Sequence, residues 1–228
     1  MTGVSESTVR RDLEILEEQG GIRRTHGGAV SLDGQASRMN FADRQPMAAA
    51  EKNAIAAVIA GRIPDGQTVI LDGGTTCLAV AAALRGRPLV VITHSVHIAA
   101  LLAGEVNTEV TLIGGYLYPR TGVALGAKAV EMLGSLRAAQ AVVSCAAVNP
   151  DGVFNVNEMM AAVERQIIEV ADEVIVAADH TKFNKRSIAR VCELDEIDTL
   201  VTDWGADEQA RSFLASAGVN LVIAEQQA

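Results

Sequence analysis

From Glu51 onward the chain predicts an α/β fold, a mostly parallel sheet with helices on both faces. Three observations carry that reading. Apolar strand-like runs alternate with helical periodicities as far as the C-terminus, the pattern of strand–helix–strand crossovers. The runs are continuously apolar, as Val69-Ile70-Leu71 shows, which suits strands buried on both faces. Hydrophobic residues make up 49% of the 228 but aromatics only 3%, so Ala, Val, Leu and Ile must fill the core.

Taken in order, a helix is expected over Glu51–Arg62, a strand over Thr68–Leu71 and a helix over Thr76–Leu84, where Leu78, Val80, Ala81 and Leu84 repeat at helical spacing. A strand at Leu89–Thr93, a helix at Val96–Ala103 and a strand at Val110–Ile113 follow. After a glycine-rich passage come a helix near Ala127–Leu133, a strand at Ala141–Ala146, a helix at Glu158–Ala171 and a strand at Glu173–Ala178. The last elements are a strand at Thr199–Thr202, a helix at Asp207–Ala217 and a strand at Leu221–Ile223.

Ahead of this domain, Val4–Gly20 reads as a short helix with Ser5 as N-cap and Val9, Leu13 and Leu16 on one face. Its other face offers Ser7, Thr8, Arg10 and Arg11 near the N-terminal end, where a recognition helix makes its base and phosphate contacts. Ile22–Val30 is a basic strand with a Gly-Gly turn and carries Arg23, Arg24 and His26, as the wing of a winged helix would. Residue by residue, a surface helix and hairpin with solvated arginines reads better, because residues 1–30 hold four arginines against five acids. Residues 31–50, with Gly34, Ser37, Asn40 and Pro46 among scattered charges, read as a linker that gains structure on docking. Arg44 stands out there, placed to meet the following domain or its ligand.

The formal charge of −9 argues against a protein that coats nucleic acid broadly, while leaving room for a small DNA-reading element on an acidic body. The N-terminus is polar and no apolar run approaches the roughly 20 residues of a membrane span. Cys77, Cys145 and Cys192 are odd in number and widely spaced, as reduced thiols of a cytoplasmic protein are. Neither a metal-ligand spacing nor a cofactor motif is expected.

Ligands of open α/β sheets bind beyond the strand C-terminal ends, and those ends are polar here. The first strand runs into Asp72, Gly73, Gly74, Thr75 and Thr76, the second into His94 and Ser95, the third into Gly114 and Gly115, and a later one into Asp179, His180, Thr181 and Lys182. Glycines permit close backbone approach, a helix N-terminus offers free N–H groups, and hydroxyls and a lysine complete a site for an anion such as a sugar phosphate.

The run VSESTVRRDLEILEEQGGIRRTHGGAV resembles the second half of the winged helix-turn-helix of the DeoR family of bacterial transcriptional regulators. The resemblance places Ser7, Thr8, Arg10 and Arg11 on the DNA-facing helix and Arg23, Arg24 and His26 in the wing. It implies that the family's domain normally begins some two dozen residues earlier, so residues 1–30 form a partial winged helix, 31–50 a linker and 51–228 an effector domain. That domain resembles the DeoR effector domain, related in fold to ribose-5-phosphate isomerase, through Glu51-Lys52, LDGGTT, the Thr-x-Ser at Thr93–Ser95, LIGG, Gly126 and Asp179-x-x-Lys182-Phe183. The family implies a cytoplasmic homo-oligomer, usually a repressor of a carbohydrate operon, that releases operator DNA when a phosphorylated sugar binds. The expected effector residues are Asp72, Gly73, Gly74, Thr75, Thr76, His94, Ser95, Gly115, Asp179 and Lys182.

Departures cluster in the middle. His94 replaces an asparagine; Ala139, Ser144 and Ala147 stand where an aspartate and glycines are usual; and Val163-Glu164-Arg165 replaces Val-Lys-Arg. These leave the phosphate corner intact and change the sugar-facing half. The alternatives are an isomerase or deaminase on the same scaffold, for which His94, Asp179 and Lys182 would be nominated, and a ligand-binding domain that has lost DNA binding. The apolar strand end Val142–Ala146 weighs against the enzyme.

Overall fold

In the computed structural model the structure describes residues 22–25, 28–31 and 39–226. The chain divides into two compact units, Met1–Met39 and Asn40–Ala228. Within the first, β1 (Ile22–Thr25) and β2 (Gly28–Ser31) form an antiparallel hairpin that pairs Ile22 with Ser31 and Thr25 with Gly28. Ser7, Thr8, Arg10, Arg11 and His26 lie outside the described residues.

The second unit opens with a single helical turn, α1 (Phe41–Arg44), and a long helix, α2 (Ala49–Arg62). Then come β3 (Thr68–Leu71), α3 (Thr75–Ala83), β4 (Leu89–Thr93), α4 (Val96–Leu102) and β5 (Thr108–Leu112). A hairpin of β6 (Tyr116–Tyr118) and β7 (Val123–Leu125) precedes α5 (Ala127–Gly134) and β8 (Ala138–Ser144). Two short strands, β9 (Ala147–Asn149) and β10 (Gly152–Asn155), lead to α6 (Glu158–Glu169) and β11 (Ala171–Ala177). β12 (Ala189–Cys192), β13 (Thr199–Asp203), α7 (Glu208–Ser216) and β14 (Asn220–Ala224) complete it.

Seven strands form one sheet in the order β14-β13-β11-β8-β3-β4-β5, with every pairing parallel. Side chains alternate across it, so its apolar strands supply two cores at once. Val69, Leu71, Val91, Val142, Ile175 and Val201 pack under α2, α3 and α4 with Ile55, Ile59, Val80, Leu84 and Ile98. On the opposite face Ile70, Ile92 and Val143 meet Leu133, Val163 and Ile167 of α5 and α6, and Val176 and Leu200 meet Ala210 and Leu214 of α7.

Two sequence expectations change. The stretch read as linker is already part of the second unit from Asn40, because Phe41 is buried and its ring stacks on His97 with centroids 4.1 Å apart. The strand expected at Ala141–Ala146 starts at Ala138 and ends at Ser144. Its first residues are small or polar, and the buried Gln140 is held by its amide, which donates to Glu173 Oε2 at 2.7 Å. The β6–β7 hairpin and the small sheet β12-β10-β9 lie in passages without a clear period.

Candidate functional site

The strand order reverses between β3 and β8. From β3 the chain winds outward through β4 and β5, and from β8 it winds the other way through β11, β13 and β14. A crevice opens at such a switch point beyond the strand C-terminal ends. Asp72 and Ser144, at those two ends, meet across it: the Asp72 carboxylate accepts from Ser144 N at 3.1 Å and from Ser144 Oγ at 2.5 Å. Its other oxygen faces His94 Nε2 at 3.0 Å, and His94 Nδ1 lies 3.0 Å from the Ala124 carbonyl on β7. Burial alone would push the Asp72 carboxyl up; the hydrogen bonds from His94, Ser144 and Gly73 N outweigh it and hold the group below its ordinary value.

Asp72 and His94 are thus brought together, but 2% and 1% exposed respectively, they form the floor of the crevice. The glycines serve that floor as well. A Cβ at Gly73 would lie 2.1 Å from Val123 Cγ1, and one at Gly74 would lie 1.9 Å from Ser144 Oγ. Gly115, at a φ of 150°, would bring a Cβ within 2.7 Å of the Leu125 carbonyl. Their missing side chains make room for β7 and β8 at least as much as for a ligand. Ser95 is also internal: buried, it caps α4 by accepting from Ile98 N at 3.4 Å.

Above the floor lie the remaining rim groups, of which Gly74, Thr75 and Lys182 are half-buried and Thr76 and Asp179 buried. Gly74 and Thr75 are half-buried at the N-terminus of α3, which no side chain caps, so its first N–H groups face the crevice as an anion site does; Thr76 beside them is buried. Asp179 is buried and accepts from Thr181 N at 3.0 Å and from Thr181 Oγ1. Its second oxygen has no hydrogen-bond partner, and Lys182 Nζ lies 3.7 Å from it, at ion-pair but not hydrogen-bond range.

Several participants were not nominated from sequence. Lys52, 5% exposed, donates to the carbonyls of Arg44 at 2.7 Å and Met47 at 2.5 Å. Burial lowers its ammonium to about 8, partly opposed by Asp179. The signal was present: Lys52 shares a helical face with Ile55, Ala56 and Ile59, so a lysine sits on a buried stripe. Glu164 is equally placed on α6, fully buried, accepting from Asn155 Nδ2 at 2.5 Å with its other oxygen unpartnered. Burial, reinforced by the charge of Asp72, raises its carboxyl well above the ordinary range. A cleft of about 440 Å³ between α2 and α3, lined by Pro46, Lys52 and Thr75 among others, adjoins the rim. Among the described residues no cluster of His, Cys, Asp and Glu is arranged to hold a metal ion, and no helix is long and apolar enough to cross a membrane.

The fold and rim define an α/β sensor-type domain attached to a second, N-terminal unit. Residues 47–204 match the DeoR C-terminal sensor domain and residues 1–35 the DeoR-like helix-turn-helix domain. The chain belongs to the DeoR family and is a DNA-binding transcriptional regulator. It is 35% identical to the HTH-type transcriptional repressor GlcR of Bacillus subtilis over 98% of this chain and 86% of that one. The glycerol-3-phosphate regulon repressor of Haemophilus influenzae is 35% identical, covering 87% of this chain and 78% of its own. The repressor CsqR of Escherichia coli is 34% identical over 99% and 87%. Among solved structures, ribose 5-phosphate isomerase A of Neisseria gonorrhoeae superposes on 59% of this chain and 53% of its own, with a TM-score of 0.44 and 15% identity.

Proposed function

We propose that this regulator is a repressor of a carbohydrate-utilisation operon whose operator affinity falls when a phosphorylated sugar binds the β3–β8 rim. The observation that carries the reading is that the uncapped N-terminus of α3 and Lys182 both lie at the C-terminal edge of the parallel sheet, on either side of the end of β8. Fixed N–H dipoles and a cation on one side of a crevice select an anion, and the polar floor leaves room for hydroxyls. Gly73, Gly74, Thr75, Thr76, Gly115, Asp179 and Lys182 shape the contact layer; Asp72, His94 and Ser95 hold it in place from beneath. Ser7, Thr8, Arg10, Arg11, Arg23, Arg24 and His26 supply the DNA contacts in a cytoplasmic homo-oligomer, with 1–30 as reading head and the unit from Asn40 onward as sensor.

Sensing needs only a ligand that distinguishes two states. Catalysis of isomerisation needs a base with a free lone pair at a substrate carbon. Asp72 and His94 are turned toward each other, Ser144 and Ala124, and Asp179, the carboxylate with an unpartnered oxygen, is 1% exposed with Lys182 3.7 Å from that oxygen, which supports a regulator without enzymatic activity. The test is thermal stability with a panel of sugar phosphates and their unphosphorylated counterparts, followed by operator release with whichever ligand stabilises. One phosphorylated sugar is expected to raise the midpoint and release DNA. Stabilisation by an unphosphorylated sugar alone, or none by any, overturns the reading.

A further inference from the structure

Three cations meet at the rim from three separate elements: Arg44 on α1, Lys52 on α2 and Lys182 after β11. Lys52 Nζ donates to the Arg44 carbonyl at 2.7 Å, and Lys182 Nζ lies 3.7 Å from Asp179, whose charge also acts on Lys52. Two of the three have partners. Lys52 is bound to two carbonyls, and Lys182 leans on Asp179. Arg44 differs. Its Nε is shielded from water, yet no acceptor meets it, and among the described residues no carboxylate lies within ion-pair distance of its guanidinium. Asp72, whose charge acts on Arg44, is already committed to His94 and Ser144. A shielded, unmet guanidinium donor is costly, and its fork of N–H groups matches an oxyanion.

We propose that Arg44 is an effector-contacting residue whose guanidinium grips the ligand's anionic group opposite the N-terminus of α3. This rests on the reading of the rim as a sugar-phosphate site, and it adds the route by which occupancy is reported. Arg44 rides on the first element of the Asn40–Ala228 unit, directly after the chain leaves the Met1–Met39 unit. That turn is tied down at a few points: Phe41 N donates to the Arg120 carbonyl at 3.0 Å, Phe41 stacks on His97, and Lys52 holds the carbonyls at its far end. Ala48, between α1 and α2, has a left-handed φ of 49°. An anion drawn to Arg44 acts on this turn directly, and through it on the chain that precedes it.

The experiment measures binding of hexose 6-phosphates, pentose 5-phosphates, glycerol 3-phosphate and inorganic phosphate to the full chain by calorimetry and thermal shift. Wild type, Arg44→Gln, Arg44→Lys and Lys182→Ala are compared at two salt concentrations. Arg44→Gln is expected to weaken the ligand that stabilises wild type by about 10- to 100-fold, to reduce the salt dependence of its binding, and to leave the unliganded midpoint no lower than that of wild type. Arg44→Lys, which keeps the charge and loses the fork, falls between, and decides the matter if Arg44→Gln does not fold. Full affinity in the Arg44 variants alongside weakened binding in Lys182→Ala overturns the role of Arg44 and leaves the sensor standing. No binding of any phosphorylated probe to wild type overturns both.

Discussion

Asp72 and His94 face each other at 3.0 Å with neither side chain reaching solvent, and the contact joins the ends of β3 and β4 beneath the rim. The two ring nitrogens of His94 meet Asp72 Oδ1 and the Ala124 carbonyl, each at 3.0 Å, and Ser144 donates to the other Asp72 oxygen. The carboxylate is therefore a structural anion that organises three strand ends, through His94 for β4 and Ser144 for β8. Asp72→Asn turns an all-acceptor group into one that also donates, and leaves a donor of Ser144 or His94 unmet. A loss of about 1–3 kcal/mol in urea unfolding at pH 7 is expected. Because the folded carboxyl is held below its ordinary value, its stabilisation is complete above the unfolded value of about 4 and fades as pH falls through the lower folded value. The deficit of the variant is thus constant from pH 5 to 8 and shrinks below pH 4; a deficit growing toward acid contradicts this account.

Gly73 tests whether the glycine pair is a packing requirement. Gly73→Ala places a methyl 2.1 Å from Val123 Cγ1, and the buried β7 has little room to move. Overpacking of this kind costs about 1–3 kcal/mol. In Gly73→Ala with Val123→Ala the nearest surviving Val123 atom is Cβ at 3.4 Å, an ordinary contact. Each single change is expected to destabilise, and the pair to destabilise by less than the sum of the two. Additive losses would show that the glycine answers to something other than Val123.

Glu164 is a buried carboxyl whose ionisation is disfavoured. Burial is the first cause and the charge of Asp72 the second, opposed by the hydrogen bond from Asn155 and by Arg165. Its folded pKa is raised, so the stabilisation is full below the unfolded value of about 4.3 and declines as pH rises toward the folded value. Glu164→Gln keeps the shape and an acceptor for Asn155 Nδ2 without a titrating proton. Urea midpoints at pH 5 and pH 8 are expected to fall more in wild type than in the variant. Equal slopes would mean that Glu164 is ionised in the folded protein.

How far the sequence spoke for the structure follows from where the physics is local. β3 and β4 match the expected Thr68–Leu71 and Leu89–Thr93 because a strand apolar on both faces, ended by an acid or hydroxyl, is written in consecutive residues. The convergence of the β3, β4 and β11 ends on one edge followed from parallel alternation alone. What stayed hidden is non-local. That Gly74 accommodates Ser144, 70 positions on, or that Asp72 spends its lone pairs on His94 and Ser144, depends on which strands become neighbours. The α1 turn was unreadable for a related reason: its four residues carry no period, and it is held by Arg120, His97 and Lys52.

Lys52 links stability, pH and ligand in one group. Burial lowers its ammonium to about 8, against about 10.4 in an unfolded chain. Between those values the unfolded chain holds more protons, so this group's contribution rises with pH over that window: the cost of the buried charge, full below 8, is relieved above it. The sign is opposite to that of Glu164. Lys52→Met removes the titration, so the variant's advantage over wild type, corrected for the lost hydrogen bonds, should narrow from pH 7 to pH 10. An anion bound at the rim favours the charged ammonium and raises its value, so binding at pH 8 takes up a proton. Calorimetry in two buffers of different ionisation enthalpy reads that uptake directly, and affinity should weaken as pH passes 8. Lys52→Arg, charged throughout, should show neither effect. Proton uptake that persists in Lys52→Arg would assign it to another group.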